Sequence, residues 1–309
     1  MKILITGVHG FVGSNLVEAL KKEHTIYGLD IVSPFKDGVR FTFSWDYLDK
    51  PGEIPEIDAI IHLAGKAHDT KNQSAADVYF KVNTDLTKKI YDYFLKSSAK
   101  KFIFFSSVKA AADRVEGEFV DENVEPKPVG PYGESKIAAE RYIQSKMDKQ
   151  TYILRPCMIH GPGNKGNLNL LYGVVSKGIP WPLGAFENRR TFTSVDNLCY
   201  IIEGLLTKEV ESGVYNINDD EAVSTNELIE IICEAMGKKA HIWRIPRCFM
   251  EAFAKLGGVL HLPLNPERLQ KLTENYVSSN AKIKKALGIE KLPVRAKDGL
   301  YKTILSFQK

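Results

Sequence analysis

An α/β architecture, a doubly wound parallel sheet with a smaller C-terminal domain, is predicted by three features of this 309-residue sequence. Short apolar runs alternate with amphipathic helical stretches through the first half. Glycines cluster directly after the first run. Beyond Pro156 the texture changes to loops and proline-rich joints. Alternation of this kind builds parallel sheets through right-handed crossovers.

The elements follow in order. Residues 2–6 are an apolar run suited to a strand buried on both faces. Residues 11–22 carry Phe11, Val12, Leu16 and Leu20 at helical spacing. Residues 25–30 and 59–64 read as the next strands, the latter after a loop rich in Pro and Asp. A helix is predicted over 78–95, a strongly apolar strand over 101–107, a helix over 133–146 and a strand over 151–154. Residues 213–218 read as a strand returning to the main sheet. The expected division is therefore 1–165 plus about 191–218 for the first domain, and 166–190 plus about 219–309 for the second.

Composition excludes several classes. A hydrophobic content of 44% and a charged content of 26% are those of a soluble globular protein. A net charge of +4 gives no reason to expect nucleic acid or a membrane as partner. Cys157, Cys199, Cys233 and Cys248 are scattered without a CxxC pair, which suits a reducing cytoplasm. The seven histidines form no cluster with zinc spacing, so no metal is expected. Met1 and Lys2 lead straight into the first strand, and no signal peptide is expected. The apolar stretch 248–262 contains Glu251 and Lys255 and is too short to span a bilayer. It is expected to pack as a helix inside the smaller domain rather than lie on a membrane surface.

The glycines point to a dinucleotide. Gly7 permits a tight turn, Gly10 lets backbone approach a pyrophosphate, and Gly13 lets helix and strand pack closely. The helix N-terminus that follows offers free N–H groups to phosphate. Asp30, seventeen residues beyond Gly13, stands where a carboxylate accepts the adenosine ribose hydroxyls. It would repel a 2′-phosphate, so NAD is favoured over NADP. Asp46 is a candidate for the adenine amine, or else caps the next segment.

Tyr132 and Lys136 are four residues apart, hence neighbours on one helix face. A phenol has a pKa of about 10. An adjacent ammonium and a positive nicotinamide ring would lower it, making the phenolate a general base near neutrality. Ser107, at the end of its strand, would share the hydrogen bond to the same substrate oxygen.

With these residues in place, the chain resembles the extended short-chain dehydrogenase/reductase family, in its NAD-dependent epimerase/dehydratase branch. The resemblance runs through Gly7, Gly10, Gly13, Asp30, His62-Leu63-Ala64-Gly65, Asn83, Ser106, Ser107, Tyr132, Lys136 and Leu154-Arg155-Pro156. It continues in His160-Gly161-Pro162-Gly163 and in the stretch 190–198. It implies a Rossmann domain holding NAD and a smaller domain holding a nucleoside diphosphate. It also implies that Phe11, Val12, Leu63, Ala64, Gly65 and Asn83 line the cofactor, with Tyr132 and Lys136 beside it. Asn167 and Arg190 match diphosphate positions, and Arg268 is a candidate second phosphate contact. Members of the family usually dimerise through helices that here would be 78–95 and 133–146.

One departure narrows the chemistry: the Val-Tyr-Gly turn that follows the serine in many epimerases is missing, which counts against an epimerase without ending that reading. Where 4,6-dehydratases carry an Asp-Glu pair after the Ser or Thr, Ser107 is followed by Val108-Lys109-Ala110-Ala111, which argues against dehydration. Two enzyme readings stay open: a UDP-sugar 4-epimerase acting on a hexose or N-acetylhexosamine, and a reductase of a UDP-4-keto-6-deoxy-N-acetylhexosamine. The segment 181–198, with Ser107-Val108-Lys109, resembles the reductases, and the C-terminal third, including Val214-Tyr215-Asn216, resembles the epimerases. A non-catalytic NAD sensor is the third reading.

Overall fold

The computed structural model describes residues 1–50, 52–66, 75–260 and 264–308. Nine strands are named among them: β1 (Lys2–Thr6), β2 (Thr25–Leu29), β3 (Val39–Phe43), β4 (Ala59–His62), β5 (Lys101–Phe105), β6 (Gln150–Pro156), β7 (Met158–His160), β8 (Phe192–Ser194) and β9 (Gly213–Ile217). Seven form one sheet in the order β3-β2-β1-β4-β5-β6-β9. Every pairing in it is parallel. Strand order reverses between β1 and β4, and a crevice opens there at the carboxyl ends of the strands.

The period of two in a strand sorts its side chains between two cores. Ile3, Ile5, Ala59, Ile61 and Ile103 face one core, with Leu16, Val17, Ile201 and Leu205 from covering helices. Leu4, Ile60, Phe102 and Phe104 face the other, with Ile90, Phe94 and Ile143. Both faces are apolar, so these strands read as continuous hydrophobic runs. A third core around Trp181, Leu183, Leu228, Ile232, Leu300 and Ile304 builds the second lobe. The short parallel pair of β7 with β8 leads into it.

Four features differ from the sequence expectation. The edge strand β3 is half-exposed, with Phe41 51% accessible, so its apolar signal is diluted. The helical stretch 76–96 is interrupted by a π-helical turn at Phe80–Asp85. Ala281–Leu287 was grouped with the second lobe, yet its Ile283 and Leu287 pack into the core of the sheet. Finally, the helix Arg247–Val259 buries Met250 and Ala254 but leaves Phe249, Phe253 and Leu256 exposed. Residues 261 and 262, at the end of the apolar stretch, lie outside the described residues.

One buried polar chain fixes β1, β4 and the helix Leu86–Lys96 together. Thr87 Oγ1 donates to the Asn83 carbonyl (2.6 Å), so it accepts from His62 Nε2 (2.9 Å). His62 Nδ1 then accepts from Thr6 Oγ1 (2.7 Å), whose oxygen accepts from the Ala64 N–H (3.1 Å). Every donor and acceptor in the series is used once, which sets the neutral tautomer. Burial, reinforced by Lys136, lowers the His62 pKa from 6.5 to about 3. The folded chain therefore stays unprotonated at His62 while the unfolded chain takes up a proton below 6.5, and stability is lost as pH falls. Between pH 6.5 and 5 this contributes about 2 kcal/mol. Urea unfolding at the two pH values should show that loss in the native chain, and His62→Gln should remove most of the difference.

Candidate active site

The site is built at the carboxyl ends of β1, β2, β4 and β5. After Thr6 the chain turns through Gly7 at φ +70°, a conformation that side chains other than glycine resist. The helix Phe11–Leu20 begins so close to that turn that a Cβ on Gly13 would lie 2.4 Å from the Gly7 carbonyl oxygen. Gly10 is the N-cap and supplies no side-chain cap. The first-turn N–H groups, including those of Phe11, Val12 and Gly13, thus face the crevice mouth with the positive end of the helix dipole behind them. This turn, with no side chain from Gly7, Gly10 or Gly13 to obstruct the N–H groups, fits a pyrophosphate.

Asp30 follows β2. Its Oδ2 accepts from the His9 N–H in the glycine turn (3.0 Å) and its Oδ1 from the Ile31 N–H (2.7 Å). The carboxylate is therefore held beside the cradle with lone pairs left for hydroxyl donors. Asp46 lies in the 3₁₀ turn Trp45–Asp49 and is taken up locally by the Ser44 hydroxyl and by Lys50 at 2.6 Å. Ser44, not Asp46, is the N-cap of that turn, and no side chain caps it.

Past β4, Leu63 and Ala64 are tied to Thr6 by their N–H groups. A Cβ on Gly65 would stand 3.0 Å from Asn83 Oδ1 and 3.2 Å from Lys136 Nζ, so this loop runs over both side chains. Asn83 sits in the π-helical turn, a distortion frequent at functional sites. Its amide accepts from the Lys66 N–H (2.8 Å) and donates to the Lys66 carbonyl and to Ser135 Oγ, both at 3.1 Å. Leu63, Ala64, Gly65, Asn83 and Lys136 thus converge on one wall.

Ser107 and Tyr132 stand on different elements that meet at Gly133. A Cβ there would lie 2.6 Å from the Lys109 carbonyl oxygen, so only glycine lets the helix Gly130–Gln144 approach Val108–Ala111 this closely. Ser107 caps the second of these, accepting from the Lys109 N–H (3.2 Å), and its hydroxyl hydrogen-bonds the Tyr132 phenol. Burial raises the Tyr132 pKa, and the Ser107 hydrogen bond opposes it. The Lys136 ammonium donates to the Phe105 carbonyl (2.7 Å), and burial lowers its pKa from 10.5 to about 8. The chain alone thus keeps Tyr132 a phenol. Burial outweighs the Ser107 hydrogen bond, and the expected lowering by Lys136 is not among the influences on the phenol, so a general base near neutrality needs the positive charge of a bound nicotinamide.

Sequence reasoning stopped at Lys136 and missed the residue one turn further. Glu140 is fully buried, accepts from the Ser106 hydroxyl, and is bound by Arg155 through Nη2 at 2.6 Å and Nε at 3.0 Å. This pair ties the helix carrying Tyr132 and Lys136 to the end of β5 and to β6. Its spacing of four from Lys136 was the available signal, since it puts both on one face.

The residues expected at a diphosphate are more dispersed. Arg190 is half-buried between Cys157 and Tyr276, its pKa lowered by burial, and its Nη1 donates to the Lys271 carbonyl (3.0 Å). Lys271 belongs to the helix Pro266–Thr273, which also carries the exposed Arg268. Arg190 and Arg268 are therefore brought to one helix. Asn167 is exposed at the start of the helix Asn167–Val175. In the stretch 190–198 much of the sequence pattern is structural: Ser194 caps the helix Val195–Thr207, and Asn197 donates to buried Asp219 (2.7 Å).

Residues 3–218 match the model of the NAD dependent epimerase/dehydratase family. The chain belongs to that family. It is an enzyme whose cofactor is NAD, and the glycine cradle with Asp30 fits that group. Among curated relatives, it is 31% identical over 274 residues to a UDP-glucose 4-epimerase of Vibrio cholerae, covering 83% of this chain and 82% of the relative. It is 28% identical over 295 residues to the N-acetyl-α-D-glucosaminyl-diphospho-ditrans,octacis-undecaprenol 4-epimerase of Escherichia coli O157:H7, covering 92% and 84%. Among solved structures, the UDP-glucuronic acid 4-epimerase of Bacillus cereus has the same fold, with a TM-score of 0.75 at 21% identity over 100% of this chain and 99% of that one.

Two variants test this geometry. Gly13→Ala should abolish NAD binding in titration calorimetry, because its Cβ meets backbone on both sides of the turn. Glu140→Gln should lower the unfolding free energy by about 3–5 kcal/mol, since it strands the buried Arg155 charge. Adding Arg155→Met should recover most of that stability in the same denaturant assay.

Proposed function

We propose that this enzyme interconverts the C4 epimers of a UDP-hexose or UDP-N-acetylhexosamine by transient oxidation at C4. The observation that carries the reading is the Ser107 and Tyr132 hydroxyl pair, set beside buried Lys136 and the nucleotide cradle. NAD, when bound, supplies the two-electron acceptor and donor for C4 and a positive ring charge near the phenol. Tyr132 takes the proton from the C4 hydroxyl and later returns one to the C4 carbonyl oxygen. Ser107 donates to the same oxygen and fixes its position. Lys136 spends one donor on the Phe105 carbonyl and keeps two for ribose hydroxyls and the phenol side. Its charged form is the competent one, so activity should fall as pH rises through the Lys136 pKa, which is about 8 in the chain alone.

Arg190, with Asn167 and Arg268, would hold the diphosphate. A substrate anchored there leaves its sugar free to present either face of C4, as epimerisation requires. Two relatives whose names specify 4-epimerisation support this reading, and their substrates differ in what the sugar is attached to. The hydrophobic and basic Val108 and Lys109, where dehydratases carry acids, argue against loss of water.

The test is to incubate the purified enzyme with UDP-N-acetylglucosamine and UDP-glucose without reduced cofactor, and to resolve the sugars by NMR. A 4-epimer formed without net cofactor consumption is expected. Tyr132→Phe should cut that turnover by about 10²–10⁴-fold with unfolding unchanged. No epimer, together with NADH oxidation by a UDP-4-keto-6-deoxy sugar, would replace the proposal with the reductase.

A further inference from the structure

The helix Arg247–Val259 and the segment leading into it have a surface that the proposed reaction does not use. Phe249, Phe253, Leu256 and Leu260 recur at intervals of four, three and four residues, so they fall on one stripe along the helix. They are 67%, 51%, 53% and 58% exposed. The neighbouring stripe, with Met250 and Ala254, is the one packed into the second lobe. Trp243, just before the helix, is also 56% exposed. Five large apolar side chains in one short segment are more than scattered surface residues, and they mark a contact surface.

Charge identifies the occupant. Residues 238–260 contain Lys238, Lys239, Arg244, Arg247 and Lys255 against the single acid Glu251, a net charge of +4. The whole chain carries +4, so the remainder is balanced and the excess cation sits in this segment. These five cations are exposed. A second copy of the chain meeting this face across a twofold axis would bring like charges together. Exposed aromatic and leucine side chains in a stretch of sequence with an excess of exposed lysine and arginine suit a negatively charged bilayer surface.

We propose that the helix Arg247–Val259 is a peripheral docking surface for an anionic lipid bilayer, with Phe249, Phe253, Leu256 and Leu260 entering the interface and the exposed cations of residues 238–260 attracted to its headgroups. This revises the expectation that the stretch packs wholly inside the smaller domain and that the chain has no membrane partner. The helix is also coupled to the site: Pro266–Thr273 packs against it, and Arg190 donates to Lys271 of that helix. The enzyme would thus dock with its diphosphate-binding side held near the bilayer. The docking does not depend on which sugar is turned over, and its test needs no substrate.

The test is co-sedimentation of the full chain with sucrose-loaded vesicles of phosphatidylglycerol and phosphatidylcholine, against phosphatidylcholine alone, at 0.1 and 1 M salt. Binding to the anionic vesicles is expected, weakened by high salt and by about fivefold for each cation reversed toward neutrality, as in Lys255→Gln. Phe249→Ser with Phe253→Ser should reduce it at least tenfold, while circular dichroism and NAD binding stay as in the native chain. Failure to bind anionic vesicles, or binding unchanged in that double variant, would overturn the proposal. So would a native dimer in sedimentation velocity that the double variant converts to monomer, since the face would then be covered by a second copy.

Discussion

The site depends on one buried ion pair. Glu140 and Arg155 have almost no solvent contact, with side-chain exposures of 0% and 4%. Burying two charges is costly and is offset only when geometry and extra hydrogen bonds are complete. Here the Ser106 hydroxyl supplies the additional bond. The result is a joint among three elements: the helix of Tyr132 and Lys136, the loop of Ser107, and β6, of which only the last two already share a backbone hydrogen bond, from Ser106 N–H to the Leu154 carbonyl. Gly133 lets the joint close, because any larger residue would push the helix off Lys109. Catalytic groups from separate elements need to be held to a fraction of an ångström, which packing and directional hydrogen bonds such as these do together.

The two buried polar assemblies near the crevice are of opposite kinds. His62 with Thr6 and Thr87 is neutral and fully hydrogen-bonded, and burial keeps it so. Lys136 is a cation kept under strain, its pKa lowered by the same burial and partly restored by Glu140. Low dielectric stiffens the first and sensitises the second. A negatively charged nucleotide arriving at the cradle would favour the ammonium, so cofactor binding and proton uptake at Lys136 are linked.

Much of the sheet was legible because buried parallel strands are uniformly apolar. The runs at Ile3 to Ile5, Ile60 to Ile61 and Phe102 to Phe105 announce themselves. Gly7, Gly13 and Asp30 were legible because the physical demand falls on residue type itself: a positive φ, an absent Cβ, a carboxylate at a strand end. Strand β3 was not, since an exposed edge keeps only Phe43 buried. The π-helical turn at Asn83 leaves no mark in hydrophobic spacing, and Glu140 looks like a solvated helix residue until Arg155 is seen across from it. The outward stripe of the helix Arg247–Val259 was read as core because spacing reports amphipathicity but not which stripe meets protein.

The return of Ala281–Leu287 to the sheet has a consequence for how such a protein can be remade. Phe192 and Val223 belong to the core of the second lobe, Ile217 and Ile283 to that of the sheet, and Leu300 to the second lobe again. The chain is stitched through the seam repeatedly. The second lobe cannot be excised, grafted or exchanged as a cassette, because each cut would unpick both cores. New specificities on this scaffold must come by replacing side chains in place, one at a time, around a seam that stays sewn.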